Sequence, residues 1–349
     1  MSQLQAPVGP KNPQPEKALL DTNIASGDLI AQDMHEVNLR IRTALQSDVV
    51  LINQMGNYII GAGGKRLRPQ LVLLSSLAQG YSGKHHTNIA AVIEFIHTAT
   101  LLHDDVVDSS SLRRGRETAH TVWGNEAAVL VGDFLYSRAF EMMVEVGQMR
   151  VMEILSAATN TIASGEVMQL MNIGESNVTE QHYKQVISAK TGKLFEAAAQ
   201  LGSVLVNAPL EQEQNMASYG AHLGIAFQLI DDVLDYTART DEMGKNAGDD
   251  LLEGKPTLPL IYALETLDSS AVESIKQALA MAQRDGLPAE QVMAIVELVC
   301  QSGAIERSVE QAQIHVDLAI SALNCLPDSE YKNAPVSYTH LTLPTILLV

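Results

Sequence analysis

Hydrophobic positions recur every three to four residues along most of the chain, the period of a helix with one buried face. In "ASGDLIAQDMHEVNLRIRTALQ", Leu29, Ile30, Met34, Val37, Ile41 and Leu45 keep that spacing. "KRLRPQLVLLSSLAQG" follows and ends at Gly80, a residue suited to closing a helix C-terminus. Residues 86–108 read as one long, largely apolar helix that ends in a run of carboxylates. Another runs over about 125–147, followed by "VMEILSAATNTIASGEVMQLM", "TEQHYKQVISAKTGKLFEAAAQLGSVLV" and "EQEQNMASYGAHLGIAFQLIDDVLDY", and further helices fill 258–324. Proline and glycine punctuate these segments more often than they interrupt them. No series of strictly alternating segments joined by hairpin turns is present, and aromatics are only 4%. The pattern predicts an all-α fold of about ten or more helices.

Length and composition refine this. A chain of 349 residues, 46% of them apolar, can hold one large or two ordinary domains. No linker interrupts the helices, so a single helical domain over 27–332 is expected, behind a loose arm, 1–26, with four prolines before residue 16. The arm lacks the basic start and apolar stretch of a signal peptide. The tail 333–349, "NAPVSYTHLTLPTILLV", has no charged side chain except His340 when protonated. It reads as foreign to the domain or disordered, with a β-segment swapped onto a partner as the alternative. No apolar run reaches the roughly eighteen residues of a membrane span. Two cysteines, Cys300 and Cys325, make neither a disulfide scaffold nor a zinc pattern, and fit a reducing cytoplasm. The formal net charge of −18 argues against nucleic acid as a partner. An anionic small ligand stays open, because a local pocket can oppose the global sign.

The candidate chemistry lies in two matching clusters. "LLHDDVVDSSSLRRG" carries Asp104, Asp105 and Asp108; "FQLIDDVLDY" carries Asp231, Asp232 and Asp235. Both follow long apolar stretches. Residues four apart share a helix face, so Asp104 points with Asp108 and Asp231 with Asp235. Such like-charged pairs need a cation, and a hard divalent ion such as magnesium, shared with a phosphate, is the natural one. Two facing clusters can clamp a diphosphate through several such ions; two merely acidic, solvated helix ends are the bland alternative. Basic residues sit nearby: Lys65, Arg66 and Arg68 in "GAGGKRLRP", then Arg113, Arg114, Lys190, Lys245 and Lys255. Glycines allow close backbone approach and a helix N-terminus can hold an anion, but this is no P-loop. With no nucleotide loop and no Ser-His-Asp or Cys-His arrangement, the diphosphate is better read as a leaving group whose departing charge is stabilised electrostatically. The remaining carbon cation must be allylic and dry, which predicts an apolar cavity leading away from the clusters.

The ordered set "GGKRLRP", "LLHDDVVDSSSLRRG", "FQLIDDVLDY" and "GKNAGDDLLEGKPTLP" closely resembles the trans-type polyprenyl diphosphate synthases, over roughly residues 28–332. The resemblance is strongest to the bacterial long-chain members. It implies an isoprenoid-synthase fold with a central cavity, and sequential condensation of isopentenyl diphosphate onto an allylic diphosphate with two or three magnesium ions. It makes Asp104, Asp108 and Asp231 the leading metal ligands, catalytic together with Lys190 and Arg113. Asp105, Asp232 and Asp235 bind metal or its waters less directly. Arg113, Lys190, Thr191, Gln228, Lys245 and Lys255 hold the allylic diphosphate. Gly64, Lys65, Arg68, His97 and Arg114 form the isopentenyl diphosphate pocket, although His97 alone would read as a core histidine. A homodimer is implied as well, and a membrane-soluble product suggests transient contact with a bilayer. The tail departs from the family, which closes with another amphipathic helix.

In this family bulky residues just upstream of the first motif stop chain growth. Here those positions are Ala99 and Thr100, both small, so a long product is expected, eight isoprene units with seven, nine or ten open. Phe134, Phe140, Met142 and Met143 are candidates for the lower wall, with ordinary helix packing as the alternative. Competing functions are a short-chain synthase, a terpene cyclase and a non-catalytic partner subunit. Small residues at 99 and 100 oppose the first, the second complete aspartate cluster opposes the second, and both intact clusters oppose the third.

Overall fold

The computed structural model describes residues 29–61, 63–113, 115–237, 248–282 and 287–334. Arg114, Lys245 with the rest of 238–247, the expected arm and the tail from 335 onward lie outside the described residues. In chain order the helices are α1 (Ala31–Ala44), α2 (Val50–Gly61), α3 (Leu67–Ala78), α4 (His85–Val107), α5 (Ala119–Trp123), α6 (Asn125–Val146) and α7 (Met149–Asn172). Then come α8 (Glu180–Ile187), a π-turn (Ser188–Gly192), α9 (Lys193–Leu205), α10 (Leu210–Thr237), α11 (Asp249–Leu252), α12 (Leu258–Thr266), α13 (Ser269–Ala282), α14 (Ala289–Gln301) and α15 (Ala304–Ala322). The all-α expectation holds apart from a small antiparallel ribbon after α4, β1 (Leu112–Arg113) against β2 (Arg116–Glu117). Two residues per strand are too few to leave an alternating pattern in the sequence.

Two apolar cores share α10. The first surrounds α4, whose residues from Ile89 to Ile96 are almost completely buried, and draws on α1, α3, α6, α7 and α9. The second gathers α12 to α15 around the later half of α10, through Leu229, Ile230, Leu260, Ile295 and Val316. α4 and α6 run antiparallel: Asn88 Nδ2 donates to the Met142 carbonyl at 3.0 Å near one end, and His103 Nε2 lies 3.2 Å from the Val129 carbonyl near the other. The chain is helical again at 330–334, and Ala334 packs on the first core. Among the described residues no helix is long and apolar enough to cross a membrane.

α10 has 28 residues, so it spans about 42 Å. It lies close against α9 because two of its contact positions lack a side chain. A Cβ on Gly220 would stand 2.3 Å from the Phe195 carbonyl oxygen, and one on Gly224 would stand 2.8 Å from Gly192 Cα. Backbone atoms cannot swing aside as a side-chain tip can. Gly220→Val is therefore expected to lower stability by about 1–3 kcal/mol or more, read as a fall in thermal midpoint. An unchanged midpoint would refute this account of the seam.

The α10–α15 contact contains a histidine pair, His222 and His315, with Nδ1 atoms 2.9 Å apart. Burial lowers both, and His222 and Lys184 help bring His315 to about 4. A base depressed on folding contributes stability that is full above its unfolded value of 6.5 and fades as pH falls toward 4. Denaturation midpoints should drop between pH 7 and 5, and His315→Gln should flatten that drop; an equally steep drop in the variant would assign it to other groups.

Candidate active site

Both aspartate motifs occupy the C-terminal turns of their helices, α4 and α10. Helix dipoles disfavour anions there, and like charges one turn apart add repulsion. Helix stability alone would not choose this placement. Cations from distant segments compensate for it, along two routes.

The first route starts at Asp104. Lys190 Nζ, in the π-turn, lies 3.5 Å from Asp104 Oδ2, 2.6 Å from Glu166 Oε2 and 2.6 Å from Gln169 Oε1. The adjacent Thr191 Oγ1 donates to Gln228 Oε1 at 2.8 Å, and Gln228 Nε2 donates to Asp232 Oδ1 at 2.8 Å. The Tyr183 hydroxyl donates to the other Asp232 oxygen. The second route starts at Asp108, which accepts from Lys255 Nζ at 2.8 Å. Glu253 Oε2 is 2.5 Å from the same ammonium, and the Lys255 backbone N–H donates to the Asp250 carbonyl at 2.8 Å. The N–H groups of Asp249 and Asp250 in turn donate to the Asp235 carboxylate at 3.1 and 3.2 Å. The two motifs are thus tied together twice.

Within each motif the middle aspartate turns inward. Successive helical residues are about 100° apart, so Asp105 and Asp232 leave the face of their neighbours. Asp105 is 4% exposed and accepts from Arg113 Nε and a terminal guanidinium nitrogen, both at 2.7 Å. Asp232 is 3% exposed and held by Tyr183 and Gln228. Asp104 and Asp108 are half-buried and Asp231 is exposed.

The charges feel this geometry. Burial raises Asp104, opposed by Lys190 and reinforced by Asp108. Burial lifts Glu166 to about 7 despite Lys190, and pushes Tyr136 to about 12, with Asp104 adding to it. Burial works against the charges of Lys255 and Arg113, but Glu253 and Asp108 outweigh it at Lys255, and Asp105 at Arg113, so both stay protonated above their ordinary values.

The glycine-rich approach to α3 makes a sharp reversal, with Gly63 at φ 72°, Gly64 at φ 143° and Arg66 at φ 49°. Arg68, from α3, has a terminal nitrogen 3.2 Å from His97 Nε2 and its guanidinium 4.3 Å over the Phe195 ring. His97 and Arg68 thus come together, and Lys65, just before Arg68 in sequence, is exposed. Arg66 is engaged elsewhere, in an ion pair with Glu94. Thr191 and Gln228 sit in the first route, as described. Among the chain-length candidates, Ala99 is fully buried and Thr100 Oγ1 donates to the His97 carbonyl at 2.7 Å. Phe134 is half-buried with Arg138 5.2 Å from its ring, Met142 and Met143 are buried, and Phe140 is 37% exposed on the outer side of α6.

Among the described residues no three His, Cys, Asp or Glu side chains gather into a ready cation cage. The outer carboxylates offer hard oxygen donors only, which suits a magnesium ion that completes its shell with water and phosphate oxygens rather than with protein. Asp104, Asp108 and Asp231 are the residues that fit it. Sequence spacing did not reveal Glu166, Gln169 or Tyr183; the one available signal was a Glu–x–x–Gln pair in the last turns of α7.

The family model described as Polyprenyl synthetase matches residues 49–299. The chain belongs to the polyprenyl synthetase family. This synthetase is 48% identical over 316 residues to octaprenyl diphosphate synthase of Escherichia coli (strain K12), covering 90% of this chain and 97% of that protein. It is 43% identical over 318 residues to all-trans-nonaprenyl-diphosphate synthase (geranyl-diphosphate specific) of Rhodobacter capsulatus, covering 91% and 96%. Its fold matches the crystal structure of polyprenyl synthase from Caulobacter crescentus CB15 complexed with calcium and isoprenyl diphosphate, with a TM-score of 0.88, 41% identity and coverage of 91% and 96%.

Proposed function

We propose that this polyprenyl synthetase is a long-chain trans-prenyltransferase. It condenses isopentenyl diphosphate units onto an allylic diphosphate, farnesyl diphosphate being the primer, and gives octaprenyl diphosphate for a quinone side chain. The observation that supports this is the double tie between the aspartate motifs, with Lys190 beside Asp104 and Lys255 beside Asp108. The eight-unit length draws on the similarity to the Escherichia coli enzyme and on the small residues at 99 and 100.

Asp104, Asp108 and Asp231 would hold two or three magnesium ions, which when bound would neutralise charge on the departing diphosphate. Asp235 and the inward Asp105 and Asp232 hold the outer ligands and their waters in place. Lys190, Lys255, Lys245 and Arg113 bind the allylic diphosphate, and Thr191 and Gln228 fix the turn that presents Lys190. Gly64, Lys65, Arg68, His97 and Arg114 hold isopentenyl diphosphate so that its double bond meets the allylic carbon. The carbon–oxygen bond of the allylic substrate breaks, the new carbon–carbon bond forms, and the released diphosphate takes the proton. Water must be excluded while the cation exists.

The working assembly is a homodimer, and the location is the cytoplasm. Val129, Leu130 and Val144 on α6, with Val167, Leu170 and Met171 on α7, are exposed apolar side chains on neighbouring helices. A face of that kind is covered by a second copy. The apolar product leaves through transient membrane contact.

The test is to incubate purified protein with farnesyl diphosphate and labelled isopentenyl diphosphate, with magnesium or excess chelator, and to size products by mass spectrometry. A magnesium-dependent ladder ending at eight units is expected. Folded protein that incorporates no isopentenyl unit would overturn the proposal.

A further inference from the structure

The Lys190 ammonium carries three hydrogens. Glu166 Oε2 and Gln169 Oε1, both on α7, lie 2.6 Å from it and take two of them. The third points toward Asp104 Oδ2, which at 3.5 Å is close enough to attract but too long for a good hydrogen bond. Glu166 and Gln169 are three residues apart and share a helix face. One position earlier, a Cβ on Gly165 would stand 2.7 Å from the Lys190 backbone nitrogen and 2.9 Å from Ala189 Cβ. So α7 touches the π-turn at both ends of Lys190: bare backbone at its root, and two acceptors at its tip.

We infer that Glu166 is a positioning residue for Lys190, with Gln169 as its second support, aiming the ammonium into the space between the aspartate motifs. This rests on the prenyltransferase function proposed above. Stability does not explain Glu166. Burial works against its charge, which a partly buried ion pair must first offset, and Asp104 and Asp108 both stand near enough to repel it. What Glu166 does provide is direction. A lysine side chain has four rotatable bonds, and an ammonium that must meet a departing diphosphate oxygen gains from being aimed beforehand.

A double-mutant cycle tests this: Glu166→Ala, Lys190→Ala, the pair, and Glu166→Gln, assayed with farnesyl diphosphate, isopentenyl diphosphate and magnesium. Glu166→Ala should lower kcat about tenfold or more, in the range of lost transition-state contacts, with KM for isopentenyl diphosphate within about twofold. Glu166→Gln keeps an acceptor oxygen at the same reach and should recover most of the loss. In the Lys190→Ala background, Glu166→Ala should change the rate by less than about twofold, the mark of a residue acting through its partner. If Glu166→Ala does not fold, Glu166→Asp, too short to reach Nζ, takes its place in the same cycle with the same expectation. A full loss that persists without Lys190, a rise in KM for isopentenyl diphosphate that matches the fall in kcat, or an unaffected variant beside an active wild type would overturn the inference alone. An inactive, folded wild type would overturn the prenyltransferase function and this inference with it.

Discussion

Asp104→Asn is expected to reduce turnover by about a hundred- to a thousandfold while leaving the protein as stable as before, or more so. Asparagine has nearly the same shape but carries no charge. In the folded chain that charge is a burden: burial and Asp108 both disfavour it, and Lys190 at 3.5 Å, with Arg113 and Lys255, offsets them only in part. Removing it relieves the helix C-terminus as well. Asp105→Asn, one residue on, should behave in the opposite way. Asp105 is buried and holds Arg113 with two contacts at 2.7 Å, so its loss leaves a guanidinium without its carboxylate. About 1–3 kcal/mol of stability should go, toward the lower end because Arg113 is 37% exposed and water can take over part of the contact. Turnover and thermal midpoint measured on both variants separate the roles. Equal losses of activity with unchanged midpoints would mean that both aspartates face the substrate.

That contrast also marks how far the sequence could be read. Helical periodicity located the elements because burial of one face is a local property, repeated every turn. The aspartate motifs were legible for the same reason: their spacing and their place at the ends of apolar runs are written in consecutive residues. What could not be read is which aspartate has which partner. Tyr183 lies 49 residues from Asp232, and Lys255 lies 147 residues from Asp108. Nothing in either neighbourhood announces the other. The different partners within the basic segment were equally hidden: Arg66, itself left-handed just before α3, pairs with Glu94, whereas Arg68 reaches His97. The π-turn at "SAKTG" is hard to read from periodicity: its extra residue rotates the later pattern by about 100°, but five residues are too few to locate where the change of phase occurs.

Ala99→Phe should convert a long-chain product into a much shorter one. The antiparallel pairing of α4 with α6 gives this position a depth. Asp104 is five residues above Ala99 and sixteen above Asn88, about 7.5 and 24 Å along the helix axis. Asn88 bonds the Met142 carbonyl, so Met142 and Met143 belong to the deep end. Leu135 shares a small cavity with Phe95 and Thr98, which puts its neighbour Phe134 near the level of Ala99. The chain-length candidates therefore form two tiers, and Ala99 is in the upper one. A phenyl ring there meets the growing chain after few additions, whereas a change at Met143 acts only on a chain that has already grown. Ala99 is fully buried, so the ring must displace something, and about 1–3 kcal/mol of overpacking is the expected accompaniment. Product sizing on Ala99→Phe and Met143→Phe, beside thermal midpoints, reads both effects. Shorter products from the first than from the second would establish the tiers. An active, folded Ala99→Phe with an unchanged product distribution would mean that the chain grows along another face of α4.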